Sequence, residues 1–385
     1  MSSPSGKLCK ASAAERSSRL RGSEGGGEEL AEEPVPVVRA TLTDVALAAG
    51  VSRQTASRVA RGGENVNKRT AAKVRRVIKA LGYRPDPIAR ALSTGRGLSV
   101  GLLTHQLTDR QMGLGAISIM IGVEQAAAEL GLGVSVATFA SFDRATVQDG
   151  IDRLARAGCD GVIFMAPWVS AAKTLGALDT TLPLVSTSEV PDYDGPAVHA
   201  DATRASADVV DHLLSLGHET VHHVAGPLDW TSSRLRRRGW ENALRNAGAE
   251  IAEPLAGDWT AHSGYEAGRL LADDPSVTAI FTANDEMALG VVYALNEAGR
   301  RVPEDVSVAG FDDAPGSDYF RPPLTTVRVD DAEYGRQAVA QLMLQVNGES
   351  AAPATILPHE LIIRASTARS PRRAPRKAAA RRVPR

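Results

Sequence analysis

The sequence predicts an α/β fold in two parts, a small N-terminal helical segment followed by a large body of parallel β-sheets. Three short amphipathic helices are predicted between Thr41 and Gly82. The body alternates short β-branched runs with helical stretches, which is typical of buried parallel strands joined by helices. With 385 residues, the chain is long enough for two or three domains with sizeable cores.

The first two helices are predicted to meet at a tight corner. The stretch from Asp44 to Ala48 predicts one helix, and Gly50 supplies the permissive backbone that the turn needs. We expect Ser52 to cap the second helix by accepting a hydrogen bond from its free N–H groups, with Ala56 and Val59 facing inward. The pattern therefore predicts a helix-turn-helix.

The outer face of the second helix carries hydrogen-bond donors. Arg and Gln side chains can form paired hydrogen bonds with guanine and adenine edges in the major groove, whereas hydroxyl side chains suit phosphate oxygens. This chemistry fits a helix that recognises DNA. Phosphate contacts are predicted for Thr41, Ser52, Thr55, Ser57, Asn67 and Thr70.

A second short helix is predicted beyond Gly82. Pro85 and Pro87 end the third helix, and Pro is tolerated in the first turn of a new one. Ile88, Ala89 and Leu92 fall on one face of the stretch 87–93. A helix of about two turns is far too short to be stable alone in water, so it needs a partner to fold.

The segment from Thr41 to Gly95 resembles the headpiece and hinge of the lactose and galactose repressor family. The resemblance implies a homodimer on a palindromic operator in double-stranded DNA. It also implies that paired hinge helices insert Leu92, with Ala89 beside it, into the minor groove and kink the operator. The family's base-reading positions are occupied here by Arg53, Gln54 and Arg58.

The charge distribution supports the same division. The overall charge of −1 combines +8 from Thr41 to Gly95, +8 from Arg369 to Arg385 and −17 for the stretch from Arg96 to Ala368. An acidic body repels DNA while a basic headpiece binds it. We therefore expect oriented association that depends strongly on salt.

The body is predicted to form two doubly wound lobes. Its predicted strands are SVGLLT, GVSVATF, GVIFMA, LPLVST, AVHAD, TVHHVAG, TAIFTA and VSVAGFD. Helices such as Ile121 to Leu130 and Ala205 to Leu216 separate them. Ligands of such sheets bind beyond the carboxyl ends of the strands, here in the cleft between lobes. The resemblance extends to about Thr367 and implies a two-lobed sensor domain like the periplasmic binding proteins.

Three polar motifs follow predicted strands in the second lobe: SSRLRRRGW, TANDEMALG and GFDDAP. The resemblance implies that Arg236, Asn284 and Asp312 hydrogen-bond the effector and that Trp259 packs against a sugar ring. A guanidinium, an amide and a carboxylate together can donate to and accept from vicinal hydroxyls. From the residues alone, Arg236 could instead lie on a solvated face, Asn284 could cap a helix, and Asp312 could belong to a turn.

The chain also departs from its relatives. Galactoside-binding relatives carry a carboxylate after the strand that matches LPLVST, where Thr187 and Ser188 stand here. Val329 and Asp331 replace residues that pack on ligand in the lactose repressor. We therefore predict effector contacts from Ser188 and, in the changed first-lobe loop, from His105. The identity of the sugar stays open.

The predicted domain organisation has five parts. Residues 1–39 form a disordered leader, 40–84 the headpiece, 85–96 the hinge and linker, 97–367 the effector-binding and dimerisation domain, and 368–385 a disordered basic tail. Cys9 and Cys159 are too few for a disulfide framework, so a reducing cytoplasm is the simple prediction. No membrane span or signal peptide is predicted.

The predicted function is a DNA-binding regulator associated with the nucleoid in the cytoplasm. It represses carbohydrate-utilisation genes and is released from its operator by a mono- or disaccharide. A corepressor-dependent regulator stays open as an alternative, as does, with less support, a sugar-binding protein or an enzyme. No cofactor, metal or catalytic residue is predicted. The chain lacks a nucleophile elbow, a P-loop and a complete dinucleotide fingerprint. The adjacent histidines of HETVHH cannot share one simple metal site, because neighbouring side chains of a strand face opposite ways.

Overall fold

A computed structural model gives the architecture. It describes residues 40–60, 66–83, 99–105, 114–165, 168–190 and 193–371, which form two compact units that divide after Asp86. The predicted hinge positions Ala89 and Leu92, the leader and most of the basic tail lie outside the described residues. Among the described residues, no helix combines the length and apolar character needed to cross a bilayer.

The headpiece contains α1 (Leu42–Ala49), α2 (Arg53–Ala60) and α3 (Lys68–Leu81). Gly50 ends α1 with a left-handed φ of 63°, which is the conformation that the predicted corner requires. Ser52 Oγ accepts a hydrogen bond from Thr55 N–H at 3.1 Å, so the predicted cap of α2 is confirmed. The three helices pack on a small core that includes Val45, Val59 and Val74.

The first lobe of the body is built on one six-stranded sheet. Its strands are β1 (Ser99–His105), β2 (Gly133–Phe139), β3 (Cys159–Met165), β4 (Leu184–Ser186), β5 (Ala197–Ala200) and β11 (Ala354–Leu357). They pair in parallel in the order β11-β5-β4-β3-β1-β2. Helices cover both faces: α4 (Leu114–Glu129), α5 (Arg144–Arg156), α6 (Ala171–Gly176) and α11 (Asp331–Val346).

The second lobe is built on a four-stranded parallel sheet in the order β7-β6-β8-β9. These strands are β6 (His222–Ala225), β7 (Leu255–Ala256), β8 (Ala279–Thr282) and β9 (Ser307–Ala309). Its helices are α7 (Ala202–Ser215), α8 (Thr231–Ala247), α9 (Ala261–Ala272) and α10 (Asp285–Glu297). Separate buried clusters lie on the two faces of each sheet, as a doubly wound fold requires.

The chain passes between the lobes three times within residues 193–371. It leaves the first lobe between β5 and α7, and it returns after β10 (Thr326–Val329), where α11 begins. It leaves again after β11, since β12 (His359–Ile362) pairs antiparallel with β10. Asp201, Asp330 and Pro358 lie in these three crossover segments.

The α/β fold class is confirmed, and all eight predicted strands are present. The sequence did not predict four further strands: β7, β10, β11 and β12. Two predicted helices begin earlier than expected, α4 at Leu114 instead of Ile121 and α7 at Ala202 instead of Ala205. Helix ends are set by capping residues such as Asp201, whose carboxylate accepts from Arg204 N–H, more than by apolar spacing.

Candidate functional site

The outer face of α2 is the candidate DNA-binding surface. Arg53, Gln54 and Arg58 are exposed, whereas Ala56 and Val59 are buried on the opposite face. Arg and Gln in these positions present paired donors and acceptors that match the edges of guanine and adenine. The surface therefore has the chemistry of a recognition helix.

The residues predicted to contact phosphates lie mainly where headpiece helices begin. Thr41 and Asn67 cap α1 and α3, and Ser52 caps α2. The N–H groups at a helix start carry partial positive charge and attract anions. Contacts between these residues and DNA stay predictions. The remaining predicted contacts lie within α2 and α3: Thr55, Ser57 and Thr70.

Arg236, in the second turn of α8, lines a cleft between the two lobes of the body. Its guanidinium donates to the carbonyl of Ala283 and, at 3.0 Å, to Asp312 Oδ1. Its Cζ lies 3.8 Å from the ring centroid of Phe311 and 5.6 Å from that of Trp259. The second lobe thus fixes the orientation of the guanidinium without a ligand.

The loops around this guanidinium have unusual backbone conformations. Among the described residues, three non-glycine positions have positive φ: Trp259 at 74°, Asp312 at 109° and Asp313 at 48°. Such conformations cost on the order of 1–3 kcal/mol each and concentrate at functional sites. Asp313 is held by Arg364 and Arg328, whose guanidinium nitrogens lie 2.6 and 2.7 Å from its carboxylate. These ion pairs hold the loop that presents Asp312.

Asp285 holds the loop that presents Asp312 through hydrogen bonds. Its buried carboxylate accepts hydrogen bonds from Ala314 N–H at 2.9 Å and from the hydroxyls of Ser317 and Thr326 at 2.6 Å each. Burial and the nearby charge of Asp312 raise the pKa of Asp285 to about 7, against the lowering effect of the three hydrogen bonds. The loop is therefore tied to the start of α10.

Asn284 connects the start of α10 to the tryptophan. Its Oδ1 accepts from Met287 N–H at 2.9 Å, and its Nδ2 donates to the carbonyl of Trp259 at 3.0 Å. The Trp259 ring lies so close to Gly226 that a Cβ at that position would collide with it. Asn284 therefore both caps the helix and positions the Trp259 ring.

The opposite wall of the cleft comes from the first lobe and the crossovers. The Tyr334 hydroxyl accepts a hydrogen bond from Ala200 N–H at 2.6 Å, so its own proton can be donated into the cleft. Asp331 stands in the first turn of α11 and faces the same space. The other polar residues of this wall are Thr187, Ser188, Glu189 and His199.

Several buried polar atoms around the cleft have no hydrogen-bond partner within the part of the chain that the structure describes. They are Thr231 Oγ1, Arg236 Nε and Trp259 Nε1. Leaving such a group unsatisfied costs about 1–3 kcal/mol, so a ligand that supplies partners gains affinity.

An aromatic row crosses from the first lobe to the second. Trp168 and Trp230 pair across the cleft with ring centroids 5.9 Å apart, and Val169 N–H donates to the carbonyl of Asp229 at 3.0 Å. The two lobes are therefore in direct contact at this edge. The members of the row in order are His105, Trp168, Trp230 and Trp259.

Comparison with known proteins matches both parts of the chain. Residues 41–86 match the family described as Bacterial regulatory proteins, lacI family, and residues 210–367 match the Periplasmic binding protein-like domain. The lactose operon repressor of Escherichia coli (strain K12) is 34% identical over 334 residues, which cover 85% of this chain and 90% of that protein. The chain belongs to the lacI family.

Other relatives agree with this membership. The HTH-type transcriptional regulator CelR of Thermobifida fusca is 32% identical over 355 residues, covering 85% of this chain and 98% of that protein. The Lac repressor dimer bound to operator and the anti-inducer ONPF superposes with a TM-score of 0.77 at 30% identity, covering 86% of this chain and all of that chain. The CelR–cellobiose complex gives 0.64 at 32% identity, with coverage of 85% and 100%.

Membership of the lacI family confirms three predictions. The chain is a DNA-binding transcriptional regulator, its headpiece is the family's helix-turn-helix, and its body has the two-lobed fold of periplasmic binding proteins. The predicted resemblance to the lactose and galactose repressors is likewise confirmed. Its curated relatives are regulators and not enzymes.

The predicted effector-binding residues of this lacI-family protein fall into three groups. Arg236, Asp312 and Ser188 line the cleft. Trp259 and Asn284 lie behind that surface, where Trp259 packs on Arg236 and Asn284 holds Trp259. His105 lies apart from the cleft lining, in the aromatic row. Direct contact of each residue with an effector stays a prediction.

Sequence reasoning missed several residues that the structure brings to the cleft or to the aromatic row. Tryptophan could have signalled two of them, because the chain has only four and three of these lie in the aromatic row. No comparable signal marks a threonine, a phenylalanine or a tyrosine in a helix. The missed residues are Trp168, Trp230, Thr231, Phe311 and Tyr334.

Proposed function

We propose that this lacI-family protein is a homodimeric repressor that binds a palindromic operator and releases it when a small carbohydrate occupies the cleft. One observation carries the proposal. A cleft with a fixed guanidinium–carboxylate pair and unsatisfied polar atoms belongs to the same chain as a helix whose exposed face suits base recognition. Arg236 and Asp312 form that pair.

The chemistry of the cleft favours a polyhydroxyl ligand. Arg236 offers N–H groups, Asp312 offers carboxylate oxygens, and the Tyr334 hydroxyl can donate. Vicinal hydroxyls of a sugar both accept and donate, so one ring can satisfy such a set. The relatives' names agree, since they include a lactose operon repressor and a regulator in complex with cellobiose.

Exposed apolar side chains on the body support dimerisation. Ile117 and Ile121 are exposed on α4, and Leu289 and Tyr293 are exposed on α10. Apolar side chains on successive turns of a helix commonly mark an interface. The Lac repressor, a relative, is a dimer when bound to its operator.

We further propose that closure of the lobes separates the two hinges, which then unfold and release the operator. The hinge residues, including Ala89 and Leu92, lie outside the described part of the chain, so this step rests on the short predicted helix and on family membership. Hydrogen exchange tests it. Residues 87–93 should be protected only on operator, and equal protection with and without DNA would contradict the mechanism.

Both remaining assignments follow from DNA binding. We assign the protein to the cytoplasm at the nucleoid, where its operator lies, and we assign it no catalytic role. The names of two relatives, the lactose operon repressor and CelR, are those of transcriptional regulators, which supports this assignment. DNA binding and ligand binding are sufficient for a repressor of this family.

Selection of operators from random duplexes at about physiological salt, repeated with neutral mono- and disaccharides, tests the proposal. We expect a two-fold symmetric site that one sugar releases. The Arg53→Ala variant should bind selected and random DNA more equally, because it lacks a base-reading side chain. Enrichment only in the presence of a sugar would instead establish the corepressor alternative, and no enrichment under any condition would refute operator binding.

A further inference from the structure

A second carboxylate, Asp331, faces the ion pair of Arg236 and Asp312 from the other side of the cleft. It stands in the first turn of α11, which packs on α4 and the first sheet, whereas Asp312 follows β9 in the second lobe. Both carboxylates line the same cavity. The two lobes therefore each contribute one carboxylate to a single site.

Asp331 forms no hydrogen bond or ion pair with another side chain in the described part of the chain, although it is close to charged groups. Burial raises its pKa, as does the charge of Asp312, while Arg236 lowers it. Its carboxylate reaches toward Gly115 at the start of α4, where a side chain would approach within 3.3 Å of Oδ2. The guanidinium already bonds Asp312, so Asp331 is left as an unused acceptor.

Unused donors face the same space. Thr231 lines the cavity, is 3% exposed, and its hydroxyl has no partner within the described residues. Arg236 Nε is likewise buried and without a partner there. The ligand must therefore accept hydrogen bonds on one side and donate them to a carboxylate on the other.

This combination discriminates between ligand classes. A hydroxyl group donates one hydrogen bond and accepts others, so vicinal hydroxyls match both sets. A phosphate or a sugar carboxylate only accepts, and it would meet Asp331 and Asp312 as like charges. An ammonium group only donates, so it would leave Thr231 and Arg236 Nε less well satisfied.

We propose that Asp331 is a specificity-determining residue of the effector site. The site admits uncharged sugars whose hydroxyls bridge Asp331 in the first lobe and Asp312 in the second. It rejects sugar phosphates and sugar acids. The inference rests on the proposed function, because it assumes that the cleft binds the effector. It adds the charge class of the ligand and a residue that selects for that class.

Bridging by the ligand explains why occupancy closes the lobes. A hydroxyl held by Asp331 and a neighbouring hydroxyl held by Asp312 tie α11 to the loop after β9. A ligand shifts a conformational equilibrium only by its difference in affinity for the two states. Such a bridge is strongest in the state that holds the two carboxylates closest together, so that state binds the sugar more tightly.

The test is calorimetric titration of the full-length chain at pH 8 with galactose, glucose, lactose and cellobiose, each beside charged counterparts. The counterparts are glucose 6-phosphate, galactose 6-phosphate, glucuronate and galacturonate. We expect a neutral sugar to bind the wild-type chain at least roughly tenfold more tightly than its anionic counterpart. Asp331→Asn should weaken binding of the neutral sugar roughly tenfold or more and lower the ratio of its affinity to that of the anionic counterpart. Asp331→Leu should lose more, because it removes the acceptor altogether.

The control variant is Glu349→Gln, which removes one negative charge at an exposed position beyond the end of α11 and should change neither affinity nor selectivity. Thermal unfolding establishes that each variant is folded. If an anionic sugar binds the wild-type chain most tightly, the inference is wrong. It is also wrong if folded Asp331→Asn keeps both the affinity and the neutral-to-anionic ratio. If no sugar of any charge binds, the proposed function fails, and this inference fails with it.

Discussion

The two walls of the cleft differ in how their charged side chains are held. On the second-lobe wall, Arg236 bonds Asp312 and the carbonyl of Ala283, and Asp285 ties down the loop beneath them. On the first-lobe wall, Tyr334 makes one hydrogen bond to a backbone N–H, and Asp331 makes none to a side chain in the described chain. We call the second-lobe wall preformed because its ion pair is already held in place, although Thr231 and Arg236 Nε keep unused donors there. The first-lobe wall presents a carboxylate that has no side-chain partner within the described residues.

The two walls therefore contribute differently to effector binding. A preformed wall lowers the ordering cost of binding and gives affinity. The first-lobe carboxylate of Asp331 gains its hydrogen bond only when a ligand bridges the two lobes, so it couples binding to closure. Substitutions in the second-lobe wall should lower both protein stability and sugar affinity. Substitutions in the first-lobe wall should lower sugar affinity or selectivity with little loss of stability.

The largest effect is expected for Asp285→Leu on the preformed wall. The change leaves three buried donors, from Ala314, Ser317 and Thr326, without their acceptor. We expect the free energy of unfolding to fall by about 3 kcal/mol or more, since each unsatisfied group costs about 1–3 kcal/mol. Urea denaturation measures it, with Glu286→Gln at the adjacent exposed position as control. An unchanged unfolding midpoint would show that the loop is not anchored there.

Arg236→Lys should nearly abolish the effector response. Lysine cannot reproduce the forked hydrogen bonds to Asp312 and the Ala283 carbonyl or the stacking on Phe311. We expect the sugar concentration for half-release of operator to rise about 100-fold, from a loss of about 2–5 kcal/mol when one partner of a buried pair is replaced. Arg237→Lys is the matched control, because Arg237 pairs with Glu241 along the same helix. Equal effects of the two changes would contradict the assigned role.

Tyr334→Phe should have a smaller effect, on affinity more than on stability. It removes one donor to the cleft and the acceptor of Ala200 N–H, and we expect sugar affinity to fall by about tenfold. Tyr193→Phe is the matched control, since the Tyr193 hydroxyl donates to the carbonyl of Leu184 at 3.3 Å inside the first lobe. Calorimetry should show that Tyr193→Phe binds sugar as the wild type does. Loss of binding in both variants would point to a general weakening of the lobe.

The smallest expected effect is the pH dependence contributed by Asp331. Burial and the charges of Asp312 and Asp330, against Arg236, raise its pKa to about 7 from the ordinary 3.8. The folded chain therefore keeps a proton that the unfolded chain releases, and the free energy of unfolding falls as pH rises from about 4 through 7. Asp331→Asn removes this contribution, so its stability relative to wild type should increase between pH 5 and pH 8. We expect less than about 1 kcal/mol, because the side chain is partly exposed.

Urea denaturation of ligand-free protein at pH 5 and pH 8 measures this difference. The control variant is Asp318→Asn, at an exposed position away from the cleft lining. Identical pH dependence of wild type and Asp331→Asn would show that Asp331 is well solvated, and the contrast between the two walls would then lose its clearest first-lobe example.

The sequence predicted the preformed wall better than the other one. The residues Arg236 and Asp312 stand in polar motifs directly after strands, and strand ends meet at one edge of a parallel sheet. By contrast, Tyr334 lies inside a helix, and which turn of that helix faces the cleft depends on where β10 ends and how α11 packs. The sequence indicated that Asp331 differs from the family pattern, but it did not predict that Asp331 lies in the same cleft as Asp312.

The fold shows the same division between local and long-range information. Strands with strong β-branched runs were predicted, whereas β7, with two residues, and the β10–β12 pair, which joins segments about thirty residues apart, were not. Asn284 caps α10 with its carbonyl oxygen, as one of its two interpretations predicted, and its amide holds the carbonyl of Trp259, whereas its contact with an effector stays a prediction. Capping is a local signal in the sequence, but the contact with Trp259 depends on tertiary packing.

The central claim is that occupancy of the cleft and operator binding are coupled, and reciprocal titration tests it most directly. The releasing sugar is titrated into the free protein and into the operator complex at one salt concentration, and operator affinity is measured with and without saturating sugar. Coupling is reciprocal, so both ratios must be equal. The account predicts that the sugar binds the operator complex more weakly, by the same factor by which it weakens operator binding. Equal sugar affinity in the two states, or tighter binding to the operator complex, would contradict it.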